Sequence, residues 1–341
     1  MKSNFLKLVA LLLILVMTLS ACGTVANVPG KGGNPDEEST NAPDAGEETT
    51  SDIYIEREDK EVKNILMIGN SFCYYYVEEL CGIAEADGYE LTVANLYKSG
   101  AKISEHLNSL KNDTRIATLF VTNSKERREI SKLTTKETLE YAEKKLKGEW
   151  DVISIQGSCS PYAILGDVEN ALKLNLAPAK EMYDYIKENY PNATLYWNQT
   201  WANEIGYGKD KSEDQQMNDV EHRTSMYNVN KAVAYAVAEE NNVRIMPSGD
   251  AWEIARKSEI VGTTLCQRLA INNGEGDYYH DGDIGGGQYL NACVWYEVLM
   301  GKSCIGNTWR PTYELSEEKI AILQAAAHEA VAAVYGPGYA E

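Results

Sequence analysis

The sequence predicts an α/β protein built on a parallel sheet, and three observations carry that reading. Apolar runs such as Asn64-Ile65-Leu66-Met67-Ile68, Asp151-Val152-Ile153-Ser154-Ile155 and Thr194-Leu195-Tyr196-Trp197 are short enough for strands and lack the alternation of a sheet with one wet face. Each run ends in a polar or glycine-containing turn: Gly69-Asn70-Ser71, Gln156-Gly157-Ser158 and Asn198-Gln199-Thr200. Segments with helical spacing lie between them, and strand, helix, strand is the order that pairs strands in parallel through right-handed crossovers.

The elements follow in order. The domain begins near Val62 with the first strand. Tyr74 to Ala86 repeats apolar residues at helical spacing (Val77, Leu80, Cys81, Ala84) and reaches Gly88 as a C-cap. Glu90 to Asn95 is a second strand, leading through Tyr97-Lys98-Ser99-Gly100 into a helix that starts near Lys102. Ile116 to Val121 and Arg128 to Leu133 fit a β-hairpin inserted between sheet elements, and Thr134 to Lys147 fits a charged amphipathic helix. Asp151 to Ile155 is the third strand, Ala177 to Glu188 a helix, and Thr194 to Trp197 the fourth strand. A long helix from about Gln215 to Asn241 precedes the fifth strand, Val243 to Met246, and a short helix, Gly249 to Ser258. The last third holds Asp277-Tyr278-Tyr279-His280, a turn with Gly282, Gly285, Gly286 and Gly287, and the apolar segment Tyr289 to Met300. Ser316 to Val334 closes the chain as an alanine-rich helix that Ser316 can cap. Residues 61–341 thus form one domain of about 280 residues, towards the upper end for a single α/β unit.

Ahead of that domain stand two segments of another kind. Lys2 and Lys7 precede an apolar run from Leu8 to Leu19, and Leu19-Ser20-Ala21-Cys22 places small residues before a cysteine. This resembles the lipobox of a bacterial lipoprotein signal peptide and implies cleavage after residue 21 with lipidation of Cys22. A plain secretory signal is the alternative, and both place the mature protein outside the cytoplasm. Residues 22–60 are rich in Gly, Pro, Ser, Thr, Asn and acids, too polar to offset chain entropy by burial, so they are expected to form a disordered acidic tether.

The formal net charge of −19 excludes nucleic acid as a partner, because a phosphate backbone would be repelled. A neutral or cationic substrate suits that surface. Twenty-two tyrosines and six tryptophans against three phenylalanines make the aromatic content amphipathic, which suits stacking on sugar faces as well as ordinary rim packing. The cysteines Cys73, Cys81, Cys159, Cys266, Cys293 and Cys304 form no C-x-x-C pair, and no His/Cys cluster has ligand spacing. They read as buried small apolar residues, with no metal and no cofactor expected.

Open parallel sheets place ligands at the carboxyl ends of their strands. Ser71, Gly100, Gln156 and Asn198 arrive there together. Gly-Asn-Ser taken alone is also an ordinary turn with an N-capping serine. A serine at a helix start can instead attack an acyl carbonyl while its own N–H holds the developing oxyanion, helped by a glycine N–H and a side-chain amide from neighbouring strand ends. The base is sought among four histidines. His106, His222 and His328 fall in helical stretches and read as surface or packing residues. His280 follows Asp277 by three residues in a glycine-bounded loop, where the carboxylate can orient Nδ1–H and leave Nε2 for the serine proton.

The order of these stretches resembles the SGNH (GDSL-like) hydrolase superfamily, and more closely a bacterial branch of it carrying a DUF4886-type domain. Matching stretches are Ile-Leu-Met-Ile-Gly-Asn-Ser-Phe (65–72), Asn-Leu-Tyr-Lys-Ser-Gly (95–100), Trp-Asp-Val-Ile-Ser-Ile-Gln (150–156), Trp-Asn-Gln-Thr-Trp-Ala (197–202), Met-Pro-Ser-Gly (246–249) and Gln-Tyr-Leu-Asn-Ala-Cys-Val-Trp-Tyr-Glu (288–297). The resemblance implies a flavodoxin-like three-layer α/β/α sandwich with a central five-stranded parallel sheet, and ester hydrolysis through an acyl-serine. It implies Ser71 as nucleophile, His280 as base, Asp277 as its orienter, and Ser71 and Gly100 as oxyanion N–H donors. The chain departs from the superfamily's third block, since Gln156-Gly157-Ser158-Cys159 stands where Gly-x-Asn-Asp is usual. Gln156 and Asn198 both remain candidates for the missing amide. The expected activity is that of a lipid-anchored extracytoplasmic serine esterase removing acetyl or similar groups from a carbohydrate; the alternative is a non-catalytic surface lipoprotein that binds a glycan at the same place.

Overall fold

The computed structural model describes residues 61–158, 162–208, 212, 216–262, 264–265 and 285–341. The expected signal segment and tether (1–60), and with them Cys22, lie outside the described residues, as do Cys159, Cys266, Asp277 and His280.

Seven strands among the described residues form one sheet: β1 (Asn64–Gly69), β2 (Thr92–Tyr97), β3 (Ala117–Thr122), β4 (Arg127–Leu133), β5 (Val152–Ile155), β6 (Thr194–Asn198) and β7 (Arg244–Met246), in the order β4-β3-β2-β1-β5-β6-β7. The five strands β2, β1, β5, β6 and β7 are mutually parallel, as expected. The hairpin of β3 and β4 is present, and it extends the same sheet antiparallel from β2. β1 lies at the centre, with β2 on one side and β5 on the other, so the chain reverses its direction of winding beside it. That is the switch point at which open α/β sheets take their ligands.

Helices cover both faces. α1 (Val77–Ala86), α6 (Ser248–Ala255), α7 (Gly287–Met300) and α8 (Glu317–Tyr335) pack on one; α2 (Ile103–Asn112), α4 (Val168–Asn189) and α5 (Val220–Asn241) pack on the other, with the short α3 (Thr135–Leu139) beside α2. Alternate residues of β1 divide between the two cores: Ile65 and Met67 face the first, Leu66 and Ile68 the second, and all four are buried. A strand buried on both sides must be apolar throughout, which explains why these runs show no alternation. α7 is buried all round, so it carries no polar stripe.

Several elements depart from the sequence reading, among them α1, which starts at Val77, α5, which starts at Val220, and α6, which ends at Ala255. β2 starts two residues later than expected, at Thr92. α4 begins at Val168, capped by Asp167, and runs through Pro178. Proline removes one backbone donor there, but Ala171, Ala179, Met182, Tyr183 and Ile186 are buried along one face and hold the helix to the sheet. The expected helix from Thr134 to Lys147 is broken: α3 is followed by a π-helical turn, Ala142–Leu146, ending at left-handed Lys147. Cys73, Cys81, Cys293 and Cys304 are free and buried, in keeping with their reading as small apolar residues.

Candidate active site

The carboxyl ends of β1, β2, β5 and β6 bring Ser71, Gly100, Gln156 and Asn198 to one rim of the sheet. Ser71 opens a three-residue 3-10 turn, Ser71–Cys73, rather than an α-helix. Its cap is Asn70, whose Oδ1 accepts the Phe72 N–H at 3.1 Å. The capping role open to Ser71 in the sequence is therefore filled by its neighbour. Asn70 O accepts the Cys73 N–H, and the Asn70 N–H is itself donated to Gln156 Oε1 at 3.1 Å. These bonds leave the Ser71 N–H unclaimed by the turn's own acceptors, as an oxyanion donor requires.

Asn70 also reaches sideways, donating through Nδ2 to Ala101 O at 3.1 Å. That bond ties the serine turn to the loop carrying Gly100, whose φ of +64° is a conformation that favours glycine. A side chain at Gly100 would meet nothing within 4 Å, so the backbone conformation, rather than crowding, calls for glycine.

His106 braces the turn from below. Its Nε2 donates to Gly69 O at 3.0 Å, and burial pushes its pKa down from 6.5 to about 4, partly countered by that bond. It is neutral at physiological pH, a packing histidine as its helical position suggested. Cys73, two residues beyond Ser71, is no rival nucleophile: burial pushes its thiol up to about 12, and its Sγ points at Asn70 O at 3.1 Å.

Both candidate amides have structural partners. Gln156 accepts the Asn70 N–H and donates through Nε2 to Gly157 O. Asn198 donates through Nδ2 to the Tyr76 hydroxyl at 3.1 Å. Each NH2 keeps a second hydrogen, and Asn198 Oδ1, though buried, accepts no hydrogen bond. Asp277 and His280 lie outside the described residues.

Two neighbouring features escaped the sequence reading. Asp250, at the start of α6, accepts from Gln199 Nε2 (2.8 Å), Tyr227 Oη (2.9 Å) and Lys231 Nζ (3.1 Å), fixing the loop that follows Asn198. Trp201 stacks on Trp252 with centroids 4.8 Å apart and meets Phe72 edge-on at 4.8 Å, linking that loop to the serine turn. Asp250 follows the Met-Pro-Ser-Gly stretch directly, which was the available signal. Among the described residues no group of three His, Cys, Asp or Glu is placed to hold a metal ion.

The sequence model of DUF4886, a domain of unknown function, matches residues 64–330. The chain belongs to that family. A DUF4886 protein from Bacteroides uniformis has a solved structure that matches with a TM-score of 0.64 and 26% identity, over 82% of this chain and 97% of that one. Proteins described as a GDSL-like lipase from Parabacteroides merdae and a lipase/acylhydrolase from Enterococcus faecalis also match. The first has a TM-score of 0.39 and 14% identity over 71% of this chain and 97% of that one. The second has 0.37 and 12% over 69% and 94%. No curated protein matches the chain.

Proposed function

We propose that this DUF4886 protein is a lipid-anchored, extracytoplasmic serine esterase that removes small acyl groups, acetyl foremost, from carbohydrate esters. The observation that carries the reading is Ser71 itself. It sits at the end of the central strand, at the switch point, in a turn whose capping is done by Asn70 and whose first N–H is left for a ligand.

In the proposed reaction, Ser71 Oγ attacks the acyl carbon and passes its proton to His280 Nε2, while Asp277 holds the imidazole by Nδ1–H. The N–H groups of Ser71 and Gly100 take the oxyanion, and the second hydrogen of Gln156 or Asn198 completes the hole. Collapse expels the sugar hydroxyl, protonated by His280, and water then hydrolyses the acyl-serine with His280 again as base. The acidic chain favours neutral sugars over anionic ones.

The test is hydrolysis of a panel of short-chain acyl esters. Ser71→Ala is expected to lower kcat by about a thousandfold or more and to abolish labelling by a fluorophosphonate probe. Wild-type protein that is inactive on the whole panel and unlabelled by the probe would overturn the reading and leave the glycan-binding alternative.

The anchor has its own test. No helix among the described residues is long and apolar enough to cross a membrane. Wild-type protein is expected to take up radiolabelled fatty acid and partition with membranes, and Cys22→Ser to do neither; equal labelling of both would remove the anchor.

A further inference from the structure

We propose that Tyr97 is the platform on which the sugar ring of the substrate stacks, stiffened from behind by Tyr74 and by Arg127 of the β3–β4 hairpin. The proposal rests on the esterase reading and names its leaving-group subsite.

Position is the first ground. Tyr74 lies on the nucleophile's own turn, its N–H donating to Ser71 O at 3.1 Å. Tyr97 closes β2 and is the Cα partner of Gly69, two residues before Ser71. Both tyrosines are half-buried, at the rim where Ser71 and Gly100 emerge.

The second ground is the stack. Tyr74 and Tyr97 lie with centroids 4.7 Å apart at an interplanar angle of 31°. Arg127 Cζ stands 3.9 Å from the Tyr74 centroid. A ring face covered at that distance has no room for a second ring, so Tyr97 lies on the opposite face and Tyr74 is enclosed between the two. Phe120, from the middle of β3, meets Tyr74 edge-on at 4.9 Å and Tyr97 at 6.1 Å. Tyr97 is thus backed on one side while only half-buried, and we place the sugar on its other face.

The third ground is the state of Arg127. It pairs with Glu78 at 3.4 Å, while Nε and Nη2 are buried without hydrogen-bond partners among the described residues. A guanidinium placed to make carboxylate forks has instead been committed to two ring faces, Tyr74 and Phe120. Those atoms are out of reach of an acidic sugar.

The ligand class follows. The C–H groups on the flat side of a pyranose carry slight positive charge and meet the negative face of an aromatic ring, and Tyr adds a polar edge for hydroxyls. Glu78 and Glu105 are paired with Arg127 and Lys98, and the net charge of −19 disfavours a uronate. The ring we assign here is a neutral pyranose bearing the ester on a hydroxyl directed towards Ser71.

The experiment compares an O-acetylated methyl pyranoside with ethyl acetate, which has the same acyl group and no sugar. Tyr97→Ala is expected to lower the ratio of kcat/KM for the two esters by about tenfold, through KM on the pyranoside, while Tyr97→Phe holds the ratio within about twofold. A ratio unchanged in Tyr97→Ala, or equal losses on both esters, would overturn the subsite. Saturation-transfer NMR with the acetylated pyranoside on Ser71→Ala protein reads the subsite without catalysis. If wild-type protein is inactive on the whole ester panel and unlabelled by the fluorophosphonate probe, the esterase reading fails. The subsite then stands if Tyr97→Ala in the Ser71→Ala background erases the sugar signals, and falls if they persist.

Discussion

The two ends of the parallel sheet are held together differently. At the amino end, the carboxylate of Asp151 accepts the N–H groups of Lys63 and Asn64 at 2.9 and 2.8 Å, and Asn64 Nδ2 reaches Glu149 O at 3.0 Å. These bonds are exposed or half-buried, and water competes for each of them. At the carboxyl end, Asn70, Gln156, Asn198 and Gln199 are all buried, and Asn198 Oδ1 and Gln199 Oε1 accept nothing. Unmade hydrogen bonds of that kind cost about 1–3 kcal/mol each. The amino end follows the ordinary rules of a stable sheet edge, whereas the carboxyl end gives up stability to keep polar groups in place, as functional sites do.

Four substitutions probe that contrast. The largest effect is expected from Asn70→Ala. Losing the cap and the bond to Ala101 lets the serine turn and the Gly100 loop shift apart, and a displacement of about 1 Å costs about a hundredfold in kcat. Esterase assays check this, and a kcat within twofold of wild type would mean that Asn70 positions nothing.

Next comes the pH dependence carried by His106. Its pKa is about 4 in the folded chain and 6.5 unfolded, so between those values the unfolded state binds the proton and the native state does not. The stability linked to this group is fully present above pH 6.5 and is lost as pH falls through 4. Denaturant melts from pH 7 to pH 4 should show about 2–3 kcal/mol of loss that His106→Gln removes. The same slope in wild type and variant would sink the assignment.

Gln156→Ala leaves the Asn70 N–H buried without an acceptor, at a cost of about 1–3 kcal/mol in unfolding free energy, together with reduced kcat. A change in neither would show that the turn holds itself. The smallest effect belongs to the amino end. Asp151→Ala should cost about 1 kcal/mol or less and leave kcat on short esters as in wild type. A marked loss of activity would erase the distinction between the two ends.

The same contrast explains what the sequence could convey. Strands buried on both faces are continuous apolar runs, so β1, β5 and β6 were legible from composition, and the turns at their ends announced Ser71 and Asn198. Ser316 as a cap and the hairpin were legible because their partners are close in sequence. The bracing of the rim was not. Gln156 meets Asn70 across 86 residues and His106 meets Gly69 across 37, distances over which no local pattern operates. The nine residues of α4 before Ala177 were not legible either, and there Pro178 stands inside a helix held by the burial of one face. Tyr97 fell in the link after the second strand and Arg127 between the strands of the hairpin, so neither stood out until the sheet set them beside Tyr74.

Gly69 draws these strands of chain to one point. Its carbonyl accepts from His106 on α2 and from the Lys98 N–H after β2, and a methyl group in place of its hydrogen would stand 2.6 Å from Gln156 Oε1. The hydrogen acts as a spacer of fixed thickness: it sets how deep the end of β1 sits between β2 and β5, and so how far Ser71 projects beyond them. Any larger residue would push Gln156 outward and let the serine sink or tilt. The reach of Ser71 is therefore written into the smallest side chain in the chain, two positions before it.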